Sequence, residues 1–381
     1  MKKIIYIANV RIPTEKAHGL QIMKMCEAFA ASGREVELIT PARLNAGFKN
    51  VDPFSFFKVR NIFRIHRIIT IDPRFLLKFP AGFYIKFQSL FFIFGLVAYL
   101  LMKLDRHSSI IYTRDHYLLP VLKYFSDQLV FEIHDMPSKP KKYISVFEQC
   151  FKIVAITQGL KEELVNLGIS EQKIIVAPDA VDLKDFEIAD DKNEVRQKLG
   201  LPLNQKLAVY TGHLYDWKGA DTLAHAVKYF NEDASAVFVG GTDSDIKHFK
   251  NQFSNNDKII IVGRVDHKLI PSYLKAADVL VLPNSAKSKI SKLYTSPMKL
   301  FEYMASGAPI VASSLPSIRE VVGEQEVQFF EPDSAVSLAE AIKKVLADIS
   351  LGERLAQQAR RVVSQFTWDQ RAKKIISTFN E

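Results

Sequence analysis

Twelve short runs of apolar and β-branched residues recur along the chain, each leading into a glycine or polar turn and then a helical pattern. Six lie at 4–8, 36–40, 110–113, Leu129–Ile133, 152–157 and 173–177, and six at 207–211, 236–240, 258–262, 279–283, 309–312 and 327–330. Strands this continuously apolar leave no face for water, so they belong to parallel sheets covered by helices on both sides. Two such series predict an α/β chain of two doubly wound, Rossmann-like domains. A length of 381 residues agrees, being too great for one comfortable core. The polar stretch 182–204, with its Asp190-Asp191-Lys192-Asn193 cluster, reads as the linker. Domains are therefore expected at 1–185 and 186–360.

Charge is unevenly spread over this plan. Residues 1–185 hold 26 Lys+Arg against 18 Asp+Glu, so nearly all of the net charge of +9 belongs to the first half. A basic half can face nucleic acid, anionic lipid or phosphorylated substrates. Neither an aromatic RNP-type pattern nor a recognised DNA-binding motif is present, which argues against nucleic acid. Only Cys26 and Cys150 are cysteines, with no CxxC pair and no His/Cys cluster. Disulfide scaffolding and structural zinc are thereby disfavoured, and a reducing, cytoplasmic location is expected. The apolar start breaks at Asn9, Arg11 and Pro13, which suits a first buried strand better than a signal peptide.

The stretch 75–106 departs from the alternating plan. Its residues 87–102 run without a charge and are rich in aromatics, yet fall short of the roughly 20 needed to span a bilayer. Around them, residues 49–106 carry ten Lys+Arg against three Asp+Glu. Basic flanks on a short aromatic helix suit a surface that dips into an anionic leaflet. A buried helix of the first domain is the alternative, although it would not need the charge excess.

The chemistry concentrates at Tyr294-Thr-Ser-Pro-Met-Lys-Leu-Phe-Glu-Tyr-Met-Ala-Ser-Gly307. Ser296 reads as an N-cap, Pro297 as the first helical residue and Gly307 as the stop. The exposed amides and positive dipole of that helix start would receive a diphosphate, with Lys299 adding a cation in the first turn. Glu302 lies three residues on, hence on the same face, and as a pure acceptor suits paired ribose hydroxyls. Taken alone, the pattern is also compatible with a capped helix bearing an ordinary ion pair. Upstream, the run 207–211 enters Gly212-His213-Leu214-Tyr215-Asp216-Trp217-Lys218-Gly219, another glycine turn with a lysine at a helix start. Neither a Walker loop nor GxGxxG after a strand is present. Asp243-Ser-Asp245 is a DxD triplet in the wrong context for a metal site.

Together these motifs resemble glycosyltransferase family 4. The likeness extends through Ala155-Ile-Thr-Gln-Gly-Leu-Lys and Lys173-Ile-Ile-Val-Ala-Pro-Asp-Ala-Val-Asp-Leu, and runs from the Gly19 loop to Trp368. It implies the GT-B fold, with a C-terminal helix within 361–381 returning to the first domain. It also implies a retaining transferase that uses a nucleotide-diphosphate sugar and needs no metal or other cofactor. The acceptor would be a glycan or lipid-linked molecule, and the enzyme a peripheral protein on the anionic inner face of the cell membrane. Position by position, the resemblance gives Glu302 the donor ribose and Lys218 the diphosphate. Ser296, Pro297, Met298, Lys299 and Leu300 fall on the loop that meets sugar and phosphates, Arg264 near the nucleobase, and Gly212 in the first donor-domain turn. Gly19 falls where backbone approaches the donor sugar, and His134 faces the reacting sugar. Tyr294 replaces the first glutamate of the family's E-x7-E pattern, and His213 stands where many members carry an arginine. The nearest enzymatic alternative is a nucleotide-sugar 2-epimerase of the same fold.

Overall fold

The computed structural model describes every residue except 1, 44–46, 73–77, 79–80, 106–107, 254 and 381. The chain forms two compact units, one of Met1–Ile156, Leu160–Pro178 and Trp368–Glu381, the other of Thr157–Gly159 and Asp179–Thr367. Among the described residues the first holds seven parallel strands: β1 (Lys3–Ile7), β2 (Val36–Pro41), β3 (Arg64–Ile68), β4 (Ser109–Thr113), β5 (Leu129–Ile133), β6 (Lys152–Ala155) and β7 (Ile174–Val176). Their order is β3-β2-β1-β4-β5-β6-β7. The second holds six: β8 (Lys206–Thr211), β9 (Ala234–Val239), β10 (Ile259–Gly263), β11 (Val279–Leu282), β12 (Ile310–Ser313) and β13 (Gln328–Phe330), in the order β10-β9-β8-β11-β12-β13.

The apolar runs form central strands because both faces of each sheet are covered. In the second unit, Leu207, Val209, Val237 and Leu280 join one core with Phe301 and Met304. The alternate residues Ala208, Tyr210, Val279 and Val281 join the other with Leu223 and Leu338. Period-two alternation thus divides each strand between two cores instead of between core and water. Both sheets reverse winding direction beside their first strand, at β1/β4 and at β8/β11. In open α/β sheets, ligands bind outside the carboxyl ends of the strands at such a reversal.

Two expectations need correction. β3 carries Arg64, His66 and Arg67 on a sheet edge and escaped the search for apolar runs, because edge strands are kept polar against unwanted pairing. The stretch 182–204 is not a linker. It contains the helix Lys192–Leu199, closed by a capping box from Asp191 and Glu194 and stopped by Gly200 in the left-handed conformation. The chain instead changes unit at Pro178/Asp179 and at Thr367/Trp368. Within the segment 361–381, Trp368–Ser377 packs against helix α1 (Ala17–Ala31) in the first unit, and the helix before it, Ile349–Val363, stays in the second.

The apolar segment forms helix α2 (Ala81–Lys103) in the first unit. Within it, 86–103 has a mean hydropathy of 1.4 but only 22% of that window is buried. Phe92, Leu96 and Leu100 point inward at four-residue spacing, whereas Phe83, Phe87, Leu90, Phe94 and Leu101 form an exposed apolar stripe. The helix is therefore both part of the core and an uncovered surface.

Candidate active site

In the second unit the site grows from the β8/β11 reversal. Gly212 follows β8 at φ 127° and Gly219 closes the loop at φ 71°. A Cβ at Gly219 would stand 1.8 Å from the Pro283 carbonyl oxygen, so only glycine lets this loop lie against the end of β11. The position of helix α3 (Met298–Ser306) is fixed from inside, where the Thr211 amide donates to the Tyr303 hydroxyl at 2.9 Å. Gly307 ends the helix at φ 78°.

These constraints bring Lys218, Lys299 and Glu302 together. Lys299 is buried, with Nζ 4.2 Å from the centre of the Tyr210 ring and no hydrogen-bond partner among the described residues. A Cβ on Gly212 would lie 4.0 Å from that same Nζ, so the lysine sits under the glycine turn. Burial holds the Lys299 pKa well below the usual lysine value, and the neighbouring Lys218 charge lowers it further against the opposing pull of Glu302. Lys218 is half-buried over the Trp217 ring, Nζ 4.0 Å from its centre, and desolvation lowers its pKa to about 8. Two poorly solvated cations beside a helix start, where first-turn amides lack intrahelical acceptors, form a receptor for an anion. Glu302 is buried one turn on, and His267 Nε2 lies 3.4 Å from its Oε1.

Other expected residues fall around this centre in different ways. Met298 is the first helical residue and Pro297 is the cap, one place later than the sequence pattern suggested. Ser296 does not cap the helix; it is buried and its hydroxyl accepts the Asp179 amide at 2.8 Å. Leu300 is a core residue whose amide donates to the Pro297 carbonyl. Tyr294 is buried, with Lys289 Nζ 5.4 Å from its ring centre, and offers no carboxylate in place of the missing one. Arg264 is exposed directly after β10. His213 is exposed and stacks on Tyr215 at 4.8 Å and 4°, and its carbonyl accepts from the Tyr210 hydroxyl. Asp245 of the DxD triplet accepts the Thr242 amide at the start of a helix.

The sequence reading missed Asn284 and His267. Asn284 follows the Pro283 that contacts Gly219, and it is buried with neither amide atom paired among the described residues. An asparagine directly after an apolar strand was the available signal for it. His267 had none, since its approach to Glu302 is made only by the fold.

The first unit holds a separate constellation at the carboxyl ends of β4 and β5. His134 follows β5, and its Nε2 lies 2.6 Å from Glu132 Oε1. Arg114, just beyond β4, donates to Gln21 of α1 at 2.7 Å. His18 stands at the start of α1, and burial followed by the Arg114 charge lowers its pKa to about 4. Gly19 is buried beside it, and a Cβ there would lie 2.4 Å from Thr14 Cγ2, so packing alone already requires glycine.

Residues 191–362 match the family model for glycosyl transferases group 1. TuaC of Bacillus subtilis, assigned as a teichuronic acid biosynthesis glycosyltransferase, is 31% identical over 193 residues, covering 50% of this chain and 46% of TuaC. The UDP-Gal:alpha-D-GlcNAc-diphosphoundecaprenol alpha-1,3-galactosyltransferase of Escherichia coli is 28% identical over 248 residues, 61% of this chain and 62% of that one. The chain thus spans about half to three-fifths of the length of these relatives. The crystal structure of HepE from Anabaena in complex with UDP superposes with a TM-score of 0.76 at 17% identity, covering 99% of each chain. With two parallel-sheet, Rossmann-like domains and this likeness over its whole length, the chain has the GT-B fold.

Proposed function

We propose that the protein is a retaining glycosyltransferase of family 4 type that moves a sugar from a nucleotide-diphosphate sugar to a lipid-linked glycan in glycoconjugate synthesis. The observation that carries this reading is the buried Lys299 Nζ, without a hydrogen-bond partner among the described residues, beside Lys218 at the start of α3, with Glu302 one turn on. A buried ammonium with no hydrogen-bond acceptor among the described residues is costly until an anion arrives, and a diphosphate supplies one. The match to group 1 glycosyl transferases and the named activities of the relatives support the same class.

On this reading Lys299, Lys218 and the amides of Met298 and Lys299 stabilise the charge that develops on the leaving diphosphate. Glu302 accepts from the donor ribose, Arg264 lies toward the nucleobase and His134 orients the transferred sugar. The bond from the anomeric carbon to the diphosphate oxygen breaks as the acceptor oxygen bonds on the same face. The acceptor proton passes to the departing diphosphate, so configuration is retained without a protein nucleophile. The two lysines fill the charge-neutralising role often taken by a metal, and transfer should therefore proceed in chelator.

The exposed stripe of α2 supports peripheral attachment to the cytoplasmic face of the membrane, where a lipid-linked acceptor resides. The decisive experiment incubates the purified protein with a panel of nucleotide sugars and a diphosphate-lipid-linked sugar, following the product by mass spectrometry and its anomeric configuration by NMR. Sugar transfer with retention is the expected result. Donor turnover that releases an altered sugar without acceptor would indicate the 2-epimerase, and an inverted product would overturn retention.

A further inference from the structure

Glu132 is a carboxylate within a fully buried strand, β5, and is itself fully buried. Four donors converge on it: Gln21 Nε2 at 2.5 Å and His134 Nε2 at 2.6 Å on Oε1, Arg371 Nη1 at 3.1 Å and the Tyr112 hydroxyl on Oε2. Two donors on each oxygen fill the acceptor capacity of a carboxylate. The Arg371 guanidinium and the donors around it hold the Glu132 carboxyl well below the usual range despite the opposing effect of burial. An ionised carboxylate only accepts, so the proton in the 2.6 Å contact belongs to His134 Nε2. Whenever the ring is neutral, Nδ1 is then the nitrogen that carries the lone pair.

Arg371 reaches this strand from the C-terminal helix, 239 residues away in sequence. Its other nitrogens are spent on the carbonyls of Pro178 at 2.8 Å and Ala177 at 3.1 Å, the last residues before the chain leaves the first unit. One guanidinium therefore ties together the strand, the exit of the chain and the C-terminal helix. We propose that Glu132 is a positioning residue that fixes the ring and tautomer of His134 for sugar transfer, with Arg371 holding the carboxylate in register. The role rests on the glycosyltransferase reading, but the geometry it predicts at His134 does not.

The charged and titratable groups around the pair are Arg371 from the C-terminal helix, Arg114 and Tyr112 from β4 and its end, Tyr6 from β1, and His18 and Cys26 from α1. Burial and Glu132 keep both tyrosines protonated, burial keeps Cys26 a thiol, and His18 is neutral near pH 7. Arg371 and Arg114 are the cations that act on Glu132 beside His134. Removing the negative charge should make His134 harder to protonate, and removing Arg371 should make it easier.

The test is ring 15N NMR of the full-length protein, with His134 assigned through His134→Asn. Wild type should show the Nε2–H tautomer. In Glu132→Gln that tautomer should lose its dominance and the protonation midpoint should fall by about one pH unit, while Arg371→Met moves it upward. Arg371→Lys, which keeps the charge, should return the midpoint toward wild type. With a working donor and acceptor, Glu132→Gln should lower kcat about 10–100-fold and leave donor KM unchanged. Shifts of the same sign in both variants would reveal general damage and overturn the proposal, as would an Nδ1–H tautomer in wild type. Nucleotide binding is measured on the same samples: its absence from wild type would sink the glycosyltransferase reading, whereas the tautomer result would stand.

Discussion

On the proposed reading, Lys299 is placed for a ligand at the expense of the empty protein. Its ammonium is buried over Tyr210 with no hydrogen-bond partner among the described residues. Lys299→Met should therefore raise the melting temperature of the ligand-free protein by about 2–4 °C, or about 1 kcal/mol. It should also abolish the further rise that nucleotide diphosphates produce in wild type. A lower melting temperature with ligand stabilisation intact would contradict the assignment. Glu302→Gln should weaken nucleotide-sugar binding by about 1.5–3 kcal/mol, read by calorimetry, through loss of a charge-assisted hydrogen bond. Lys218 adds a pH signature. Its pKa of about 8 lies below the ordinary 10.5, so it begins to lose its proton in the empty site near pH 8. Donor affinity should accordingly fall as pH rises through that value, with proton uptake on binding above it. The sign for folding is opposite: the unfolded chain holds this proton up to about 10.5, so the group adds stability to the empty protein between about pH 8 and 10.5. Of these residues, Lys218, Lys299 and Glu302 were legible in the sequence because short motifs place them at helix starts. Asn284 and His267 were not, because neither belongs to a local pattern.

Helix α2 shows the same division one level up. Its apolar length was plain in the sequence, but a helix apolar all round does not reveal which face is inward. The fold decides that Phe92, Leu96 and Leu100 are core and that Phe87, Leu90 and Phe94 face outward. Phe92→Ser should destabilise the protein by about 3–5 kcal/mol, as expected for emptying a fully buried aromatic site. Changing Phe87, Leu90 and Phe94 together to Ser should leave folding within about 1 kcal/mol of wild type and abolish co-sedimentation with phosphatidylglycerol vesicles. Exposed Lys86 and Lys103 should each add about 1 kcal/mol of attraction near such a surface, so binding weakens as salt rises. Equal binding by the triple variant and wild type would show that the stripe does not meet lipid. The capped helix Lys192–Leu199 teaches the converse lesson. Its Asp191-x-x-Glu194 signature was present in the sequence, but an acidic cluster between two domains looks like a linker until Val195 and Leu201 are seen in the core.

At the scale of the molecule, the C-terminal helix is the element whose loss should be felt farthest away. Trp368, Arg371, Ala372 and Ile375 are buried in the first unit, and Arg371 compensates Glu132. Ending the chain after Thr367 should leave an uncompensated buried carboxylate and destabilise the first unit by at least about 3–5 kcal/mol. Nucleotide should still protect the second unit in a thermal melt, and a single transition at the wild-type temperature would refute this dependence. The sequence by itself determined that there are two parallel α/β domains, because strands buried on both faces must be continuously apolar and that signature is local. It also located the lysines and the glutamate of α3, since helix-start chemistry is written in adjacent residues. Only the tertiary structure decided that the chain changes unit at Pro178 and Thr367, that β3 exists, and that Ser296 binds the Asp179 amide instead of capping a helix. It alone joined Glu132 to Arg371 across 239 residues. The physical reason is common to all of these: each depends on a partner distant in sequence, and a hydrogen bond or a burial is a property of the pair.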